Sequence, residues 1–291
     1  MSNLEKIAEE IRKSKKFSRL GSDYVISIIK RNLQLDKKVN NLVIDGDYLN
    51  FKNSKPYKAF LKSTKKFLHD TYGVYQIRDV SKKEKLFKKM LKSKDRGDLL
   101  QLHLDILHCH SSSRERKNNY ETIYRNIFAV CGKPKKILDV GCGINVFGLP
   151  FIGFRDFEYI GCDCVKEDLK LTKDYLEKVG PVMGFSGRTF FIDIFEKDFL
   201  ENISKVNSDL CFLFKMTDML DYGGKNHKKT EDFLRKVKSK FVVVSFPTKT
   251  VSGKSMRAPR RKWFELMCNR LKYGHDYFEI DNECFYIVKK K

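Results

Sequence analysis

The spacing of apolar residues divides the chain into two parts. Up to about residue 112, apolar positions recur every third or fourth residue, as between Leu4 and Ile11 and again between Tyr24 and Ile29. This is the spacing of one face of an α-helix. After Pro134, short apolar runs alternate with amphipathic segments instead. The pattern therefore predicts a helical part followed by an α/β part.

The second part has the order of strands and helices that is typical of a parallel sheet. We predict strands at 136–140, 159–162, 189–192, 210–214, 241–246 and 284–288, and helices or turns near 147–152, 166–179, 196–204, 229–238 and 260–272. Strands joined by crossover helices form a Rossmann-like, doubly wound sheet. The run 277–280, followed by Asp281-Asn282, predicts a closing hairpin and thus an antiparallel strand at the end of the sheet.

The charge of the chain favours a polyanionic partner. The 291 residues include 59 Lys and Arg against 37 Asp and Glu, a net charge of +22. Two segments concentrate this charge, and we expect both to contact RNA phosphates. The first is a helix with lysines around Leu86, Phe87 and Met90, namely Lys82, Lys83, Lys85, Lys88, Lys89 and Lys92. The second comprises Lys249, Lys254, Arg257, Arg260 and Arg261. The alternative for any single run is an ordinary solvated surface.

The cysteines and the hydropathy exclude several classes of protein. The eight cysteines are scattered, form no CxxC pair and mostly have apolar neighbours, so we expect reduced thiols and no metal site. There is no apolar run of about 18 residues that would span a membrane, and the charged N-terminus has no signal-peptide core. We expect a cytoplasmic protein.

One segment has the features of a nucleoside-binding turn. In Ile137–Gly143, an apolar strand ends in Asp139 and is followed by Gly141 and Gly143. Glycines allow a sharp turn and a close approach of ligand to backbone. The third glycine of a dinucleotide fingerprint is absent, since Val146 stands there. The sequence D-V-G-C-G directly after a strand is instead typical of an S-adenosylmethionine site. Acidic residues also end the next two predicted strands, at Asp163 and Asp193.

Four further stretches resemble a known family. They are 110–116 (HSSSRER), 141–150 (GCGINVFGLP), 213–216 (LFKM) and 245–254 (SFPTKTVSGK). Together they resemble the 16S rRNA guanine-N7 methyltransferases responsible for aminoglycoside resistance. The resemblance is strong from about 108 to 265. It is weak towards the N-terminus, where 66–69 and 72–75 match best.

The resemblance implies an architecture and an activity. Residues 1–112 would be a helical, basic, rRNA-binding N-terminal domain, and residues 113–291 a Rossmann-like class I methyltransferase domain. The enzyme would transfer a methyl group from S-adenosylmethionine to guanine N7 in 16S-type rRNA of the small ribosomal subunit, and we expect a monomer. The alternatives are methylation of another RNA or base, and a non-catalytic protein that binds ribosomal RNA.

The resemblance also implies roles for single residues. Arg116 would pair with the donor carboxylate, with Arg114 as the competing candidate. Gly141 and Gly143 would shape the amino-acid pocket. The remaining roles fall to Asp163 for the ribose, Asp193 and Ile194 for the adenine, and Lys215 for positioning beside the transfer site.

Two features concern chemistry and substrate choice. Guanine N7 carries a lone pair and no proton, so we expect no catalytic base. The target base must leave its stack, and Phe246 and Trp263 are the candidates for stacking on it, although a place in the protein core is the favoured interpretation for each. Where the family usually has proline and alanine after the glycines, this chain has Val146 and Gly148.

Overall fold

The computed structural model describes residues 1–18, 20–73, 81–93, 95–250 and 253–290. Two compact units share the chain. One comprises Met1–Val80 with Val165–Glu167, and the other comprises Ser81–Cys164 with Asp168–Lys291. Part of the matching stretch 72–75 and part of 245–254 lie outside the described residues. Among the described residues, no helix has the length and hydropathy of a membrane-spanning segment.

The first unit is built from helices, as the apolar spacing predicted. They are α1 (Asn3–Arg12), α2 (Ser22–Leu35), α3 (Lys37–Asp45), α4 (Tyr48–Phe51), α5 (Lys55–Leu68) and a π-helical turn (His69–Gly73). Ser2 and Glu5 form a capping box at α1, which satisfies the first backbone N–H groups of that helix. Glu10 of α1 accepts hydrogen bonds from Tyr48 and Tyr57 at 2.7 and 2.6 Å and so ties α4 and α5 to α1.

In the described part of the second unit, helices lie before the sheet and between its strands. The helices are α6 (Ser81–Met90), α7 (Arg96–Leu107), α8 (Ser111–Arg116), α9 (Tyr120–Cys131), a 3₁₀ helix (Asn145–Ile152), α10 (Lys166–Lys178), α11 (Gly180–Met183), α12 (Phe199–Ser204), α13 (Thr217–Leu220), α14 (Lys228–Lys236) and α15 (Lys262–Arg270). The strands are β1 (Lys136–Val140), β2 (Phe157–Asp163), β3 (Phe185–Phe191), β4 (Asn207–Phe214), β5 (Lys238–Pro247), β6 (Gly274–Ile280) and β7 (Glu283–Lys289).

The sheet has the predicted doubly wound topology. Its strand order is β3-β2-β1-β4-β5-β7-β6. Strands β1 to β5 pair in parallel, whereas β7 runs antiparallel to both β5 and β6. The closing hairpin is thereby confirmed. The crossover from β3 to β4 reverses the direction of strand addition, so β1 and β4 adjoin at the point where open α/β sheets bind ligands.

Helices cover both faces of the sheet. One face packs against α6, α7, α9 and α10 through residues such as Phe87, Ile106 and Tyr175. The other packs against α12, α14 and α15 through residues such as Phe233 and Phe264. Six of the eight free cysteines are buried in these layers or beside them, as their apolar neighbours indicated.

The helix α6 belongs to the second unit. The sequence placed a domain boundary at 112, but the compact units divide after Val80, because Phe87 and Met90 of α6 bury themselves in the core beneath the sheet. The residue Lys83 lies on the same side of α6. It is buried and forms an ion pair with Asp168 of α10, which is also buried. Lys83 is therefore removed from the predicted RNA surface.

We predict that Lys83→Met destabilises the protein by about 3–5 kcal/mol, because Asp168 then stays buried without its cation. Chemical denaturation measures this change. The matched control is Lys173→Met, which breaks the exposed Lys173–Glu177 pair of α10 and is expected to cost less than about 1 kcal/mol. The double variant Lys83→Met/Asp168→Leu should recover most of the lost stability. Equal costs for the two single variants would contradict a buried pair.

Candidate functional site

The candidate site lies at the carboxyl edge of the parallel strands. The segments that follow β1, β2, β4 and β5 all emerge at this edge, because parallel strands end on the same side of a sheet. They carry Gly141, Asp163, Lys215 and Thr248. The structure thus collects at one edge most of the residues that the sequence predicted for the donor.

The glycine bend, residues 141–143, has a conformation that requires its glycines. Gly141 and Gly143 have φ of 72° and 47°, in the left-handed region that side chains avoid. A Cβ on Gly141 would also collide with the side chain of Met216. The Asp163 carboxylate accepts a hydrogen bond from the Gly143 N–H at 2.8 Å, and Thr172 of α10 donates to the Gly143 carbonyl at 3.3 Å. The bend is held from both sides.

The Asp139 carboxylate anchors a polar network below the bend. Its Oδ2 accepts hydrogen bonds from Asn145 Nδ2 and the Tyr159 hydroxyl, both at 2.7 Å. The Oδ1 of Asn145 in turn accepts from the Tyr120 hydroxyl at 2.9 Å. Burial raises the pKa of Asp139 to about 6, although both hydrogen bonds and Arg116 favour its ionised form. These contacts fix the start of the 3₁₀ helix relative to β1.

Arg116 is buried at the end of α8 and is bound on one side. Its Nε donates to both carboxylate oxygens of Glu283, at 2.9 and 3.2 Å, and Nη1 lies 3.5 Å from Asn145 Oδ1. Burial would lower the pKa of Arg116, but Glu283 and Tyr120 raise it above its ordinary value. The guanidinium has five N–H groups, more than its contacts to Glu283, Asn145 and Tyr120 require, and its Nη groups have the geometry that suits a second carboxylate. Arg114, the competing candidate, is exposed.

Lys215 follows β4 and turns into the same site. Its φ is 56°, a left-handed conformation that is uncommon for a lysine. Its backbone N–H donates to the Ser245 carbonyl at 3.2 Å, which holds the turn against β5. The Nζ forms ion pairs with Glu115 and, at 3.3 Å, with Glu283. We name Glu115, Arg116, Lys215 and Glu283 the charge cluster.

The predicted adenine-side residues lie just beyond β3. Asp193 is buried, and its Oδ1 accepts a hydrogen bond from the Phe195 N–H at 2.9 Å. Ile194 is half-buried and packs against the core on the face of the sheet that α12, α14 and α15 cover, which also contains Ile192. Both residues stand two or three positions after the end of a strand that pairs with β2, so they share the edge that carries Asp163.

The two predicted RNA-contact segments are only partly accessible. In α6 and directly after it, Lys82, Lys85, Lys88, Lys89 and Lys92 are exposed. In the second segment Lys249, Lys254, Arg257 and Arg260 are exposed, and Arg260 pairs with Glu265. Arg261 has a different role. It donates to the carbonyls of Pro247, Ala258 and Pro259 and closes the base of its own loop. Arg261 is therefore removed from the predicted RNA surface.

The two aromatic candidates for base stacking differ in burial. Phe246 is buried among Trp263, Phe264 and Tyr286. Trp263 is half-buried, and the His227 ring stacks on it with centroids 3.6 Å apart. Of the two interpretations that the sequence left open, packing in the core describes Phe246.

Sequence reasoning missed Glu283, Asn145 and Glu115. Glu283 is the first residue of β7, next to the predicted hairpin turn, where an acidic residue is ordinarily solvated. Asn145 lies in the matching stretch 141–150 but carries no charge that would attract attention. Glu115 directly precedes Arg116, and that position was the one available signal for it.

Gly148 has a local explanation in this chain. A Cβ at Gly148 would lie 2.5 Å from Cε1 of the Tyr120 ring and 2.8 Å from Cδ1. The hydroxyl group on this ring donates a hydrogen bond to Asn145 Oδ1. Glycine at 148 therefore gives Tyr120 the space from which it reaches the Asp139 network. This departure from the family pattern follows from packing behind the bend.

The chain is similar to known ribosomal RNA methyltransferases. A family model described as "Ribosomal RNA methyltransferase (FmrO)" matches residues 54–287. A 16S rRNA (guanine(1405)-N(7))-methyltransferase of Proteus mirabilis is 31% identical over 214 residues, 69% of this chain and 72% of that protein. A protein of the same name from Micromonospora rosea is 25% identical over 236 residues, 79% of this chain and 82% of the relative.

Solved structures show the same fold. The chain is similar to the 16S rRNA methyltransferase RmtF in complex with S-adenosyl-L-homocysteine, with a TM-score of 0.75, 19% identity and coverage of 100% of this chain and 99% of that one. It is also similar to the 16S rRNA methylase RmtB, with a TM-score of 0.69, 20% identity and full coverage of both chains. The Rossmann-like methyltransferase fold is thereby confirmed.

We predict that Gly148→Ala destabilises the protein by about 1–3 kcal/mol, because the added methyl group must displace the Tyr120 ring. Chemical denaturation measures the loss. Gly274→Ala is the control, since its Cβ would meet Lys289 at an ordinary 3.9 Å, and a change below about 1 kcal/mol is expected. If Gly148→Ala were as stable as wild type, Tyr120 would not be confined by Gly148.

Proposed function

The chain belongs to the FmrO family of ribosomal RNA methyltransferases, and we propose that it transfers a methyl group from S-adenosylmethionine to guanine N7 in 16S-type rRNA of the small ribosomal subunit. The relatives' names specify guanine 1405, and the equivalent guanine is the target we expect. The observation that carries the proposal is the glycine bend, tied to Asp163 at the reversal point of the sheet.

The residues at this edge fit the proposed donor. The positive φ of Gly141 and Gly143 leaves backbone where a ligand can approach closely. Arg116 has Nη groups that suit a carboxylate, and Asp163 and Asp193 are acids at strand ends, where ribose hydroxyls and an adenine amino group can donate to them. Ile194 supplies an apolar neighbour for the base. When bound, the donor supplies a methyl group on a positively charged sulfur.

The protein itself contributes position rather than proton transfer. Guanine N7 has a free lone pair, so no residue has to remove a proton. Holding N7 in line with the methyl carbon can account for about 7–11 kcal/mol of the barrier. Hydrogen bonds that hold the segments around the site support this role. The backbone of Lys215 is hydrogen-bonded to β5, and the glycine bend is hydrogen-bonded to β2 and α10. Lys215 is the positioning residue of the proposal.

The ribosomal partner explains the excess of positive charge. The exposed lysines of α6 and the exposed cations of 249–260 present donors to phosphates from the same unit that carries the donor site. The helical first unit adds further exposed lysines, such as Lys55, Lys58 and Lys62. We propose that these surfaces bind folded rRNA, and that the chain works as a cytoplasmic monomer.

We predict that the protein, incubated with labelled S-adenosylmethionine and small ribosomal subunits, produces N7-methylguanine that chemical strand scission locates at one nucleotide. Asp163→Ala should weaken donor binding at least tenfold, because it removes both a hydroxyl acceptor and the support of Gly143. Calorimetry with S-adenosylhomocysteine measures this loss, and binding of the subunit should be unchanged.

Two outcomes would contradict the proposal. Subunit binding without any methyl transfer would favour a non-catalytic RNA-binding protein, and labelling at another base or in another RNA would redirect the activity. Asp209→Ala is a suitable control for the variant, since Asp209 binds backbone N–H groups of Lys135 and Lys136 at the opposite edge of the sheet. It should leave donor affinity unchanged.

We also predict that reversing Lys85, Lys88, Lys89 and Lys92 to Glu weakens subunit binding and lowers the slope of log K against log salt by about four, roughly one for each phosphate contact. Binding at several salt concentrations measures the slope. Reversal of four exposed lysines at the amino edge of the sheet, Lys205, Lys236, Lys238 and Lys240, provides the control with the same net charge. Equal slopes for the two variants would contradict a specific α6 surface.

A further inference from the structure

Glu115 is the outermost member of the charge cluster. Its carboxylate contacts Lys215 Nζ. The side chain of Glu115 is 39% exposed to solvent, whereas that of Lys215 is 8% exposed and that of Glu283 is 3% exposed. Glu283 occupies the inner position, where Arg116, Lys215 and the Ser245 hydroxyl bind it. The cluster is therefore ordered from a buried carboxylate to an accessible one, with the lysine between them.

The inner members contact one another without Glu115, and Glu115 neutralises the charge of +1 that Arg116, Lys215 and Glu283 carry together. Glu283 alone binds both Arg116 and Lys215, and its pKa, which burial would raise, is held below the ordinary value by these two cations and by Ser245. Lys215 thus already has a buried anionic partner. Glu115 adds a second carboxylate on the solvent side of Lys215, where it remains accessible to a ligand.

A carboxylate at this place is unfavourable for phosphate. The chain carries a net charge of +22, and a polyanion that approaches the carboxyl edge meets Glu115 as a repulsive group. Carboxylates that contact nucleic acids instead accept hydrogen bonds from base N–H groups. The position next to Lys215 therefore suits a base edge that combines donors with an acceptor.

Guanine has such an edge. Its N1–H and N2 amino group are donors, and O6 beside them is an acceptor; adenine lacks this combination. When N7 faces a methyl donor, the N1 and N2 groups point away from it and stay available to the protein. An ammonium group can donate to O6, and a carboxylate beside it can accept hydrogen bonds from N1–H and the N2 amino group.

We propose that Glu115 determines the specificity for guanine, accepting hydrogen bonds from N1–H and the N2 amino group while Lys215 donates to O6. This inference rests on the proposed function, since it names the group that recognises the base methylated at the same site. Glu115 is then a base-contacting residue, and Glu283 holds Lys215 in place behind it.

The test compares guanosine with inosine, which lacks the N2 amino group, at the target nucleotide of reconstituted small subunits. We expect wild-type kcat/KM to fall about tenfold to a hundredfold on inosine, the range of a paired base contact. Glu115→Gln preserves the shape but removes the charge and one acceptor. The kcat/KM of this variant on guanosine subunits should fall by a similar factor. Its kcat/KM should then be almost equal for subunits with guanosine and with inosine at the target.

Two controls separate recognition from folding. The affinity for S-adenosylhomocysteine and the thermal unfolding midpoint of Glu115→Gln should match wild type, because Lys215 keeps Glu283. The matched control is Glu158→Gln, a carboxylate of 30% exposure that binds Lys136 and Arg188 at the opposite edge of the sheet. It should retain the full preference for guanosine.

The outcomes are distinct. A Glu115→Gln variant that still prefers guanosine by the wild-type factor would overturn the inference while leaving the proposed function intact. A wild-type protein that transfers no methyl group to guanosine subunits would overturn the proposed function, and the inference with it.

Discussion

The burial of the Glu283 carboxylate is the constraint on which the site depends. A buried carboxylate is costly unless cations and hydrogen-bond donors surround it. Arg116, Lys215 and Ser245 meet this need from α8, from the end of β4 and from β5. Since Glu283 begins β7, these partners assemble only when the final hairpin has paired with β5. The last segment of the chain thus completes a site whose glycine bend lies 140 residues earlier.

Much of the fold could be predicted because it depends on local spacing. Alternating apolar runs predict the strands and crossover helices of the second unit, and Asp281-Asn282 predicts the hairpin. Asp163 and Gly143 were also predictable as strand-end residues, although the hydrogen bond that joins them was not. The burial of Lys83 could also be predicted from its position, although its charge favours the surface. It stands four residues before Phe87 and seven before Met90, on the face that α6 buries.

The polar partners could not be predicted for a physical reason. Whether an acidic or basic residue is buried depends on what lies opposite it, and these partners are remote in sequence: Arg116 and Glu283 are 167 residues apart, and Lys83 and Asp168 are 85 apart. Arg261 illustrates the same limit at short range. Its sequence neighbours suggest a cationic surface, yet the carbonyls of its own loop bind the guanidinium.

A reaction that needs no proton transfer depends on how rigidly two partners are held. The two polar networks of the site are connected through one residue. One runs from Asp139 through Asn145 to Tyr120, and the other from Glu283 through Lys215 to Glu115. Arg116 belongs to both, since it binds Glu283 and lies 3.5 Å from Asn145. The groups proposed to hold the donor and those proposed to hold the base therefore share one guanidinium. Because Arg116 contacts both Glu283 and Asn145, the two networks form one connected set of contacts, and this set is buried except at Glu115, where it reaches the surface.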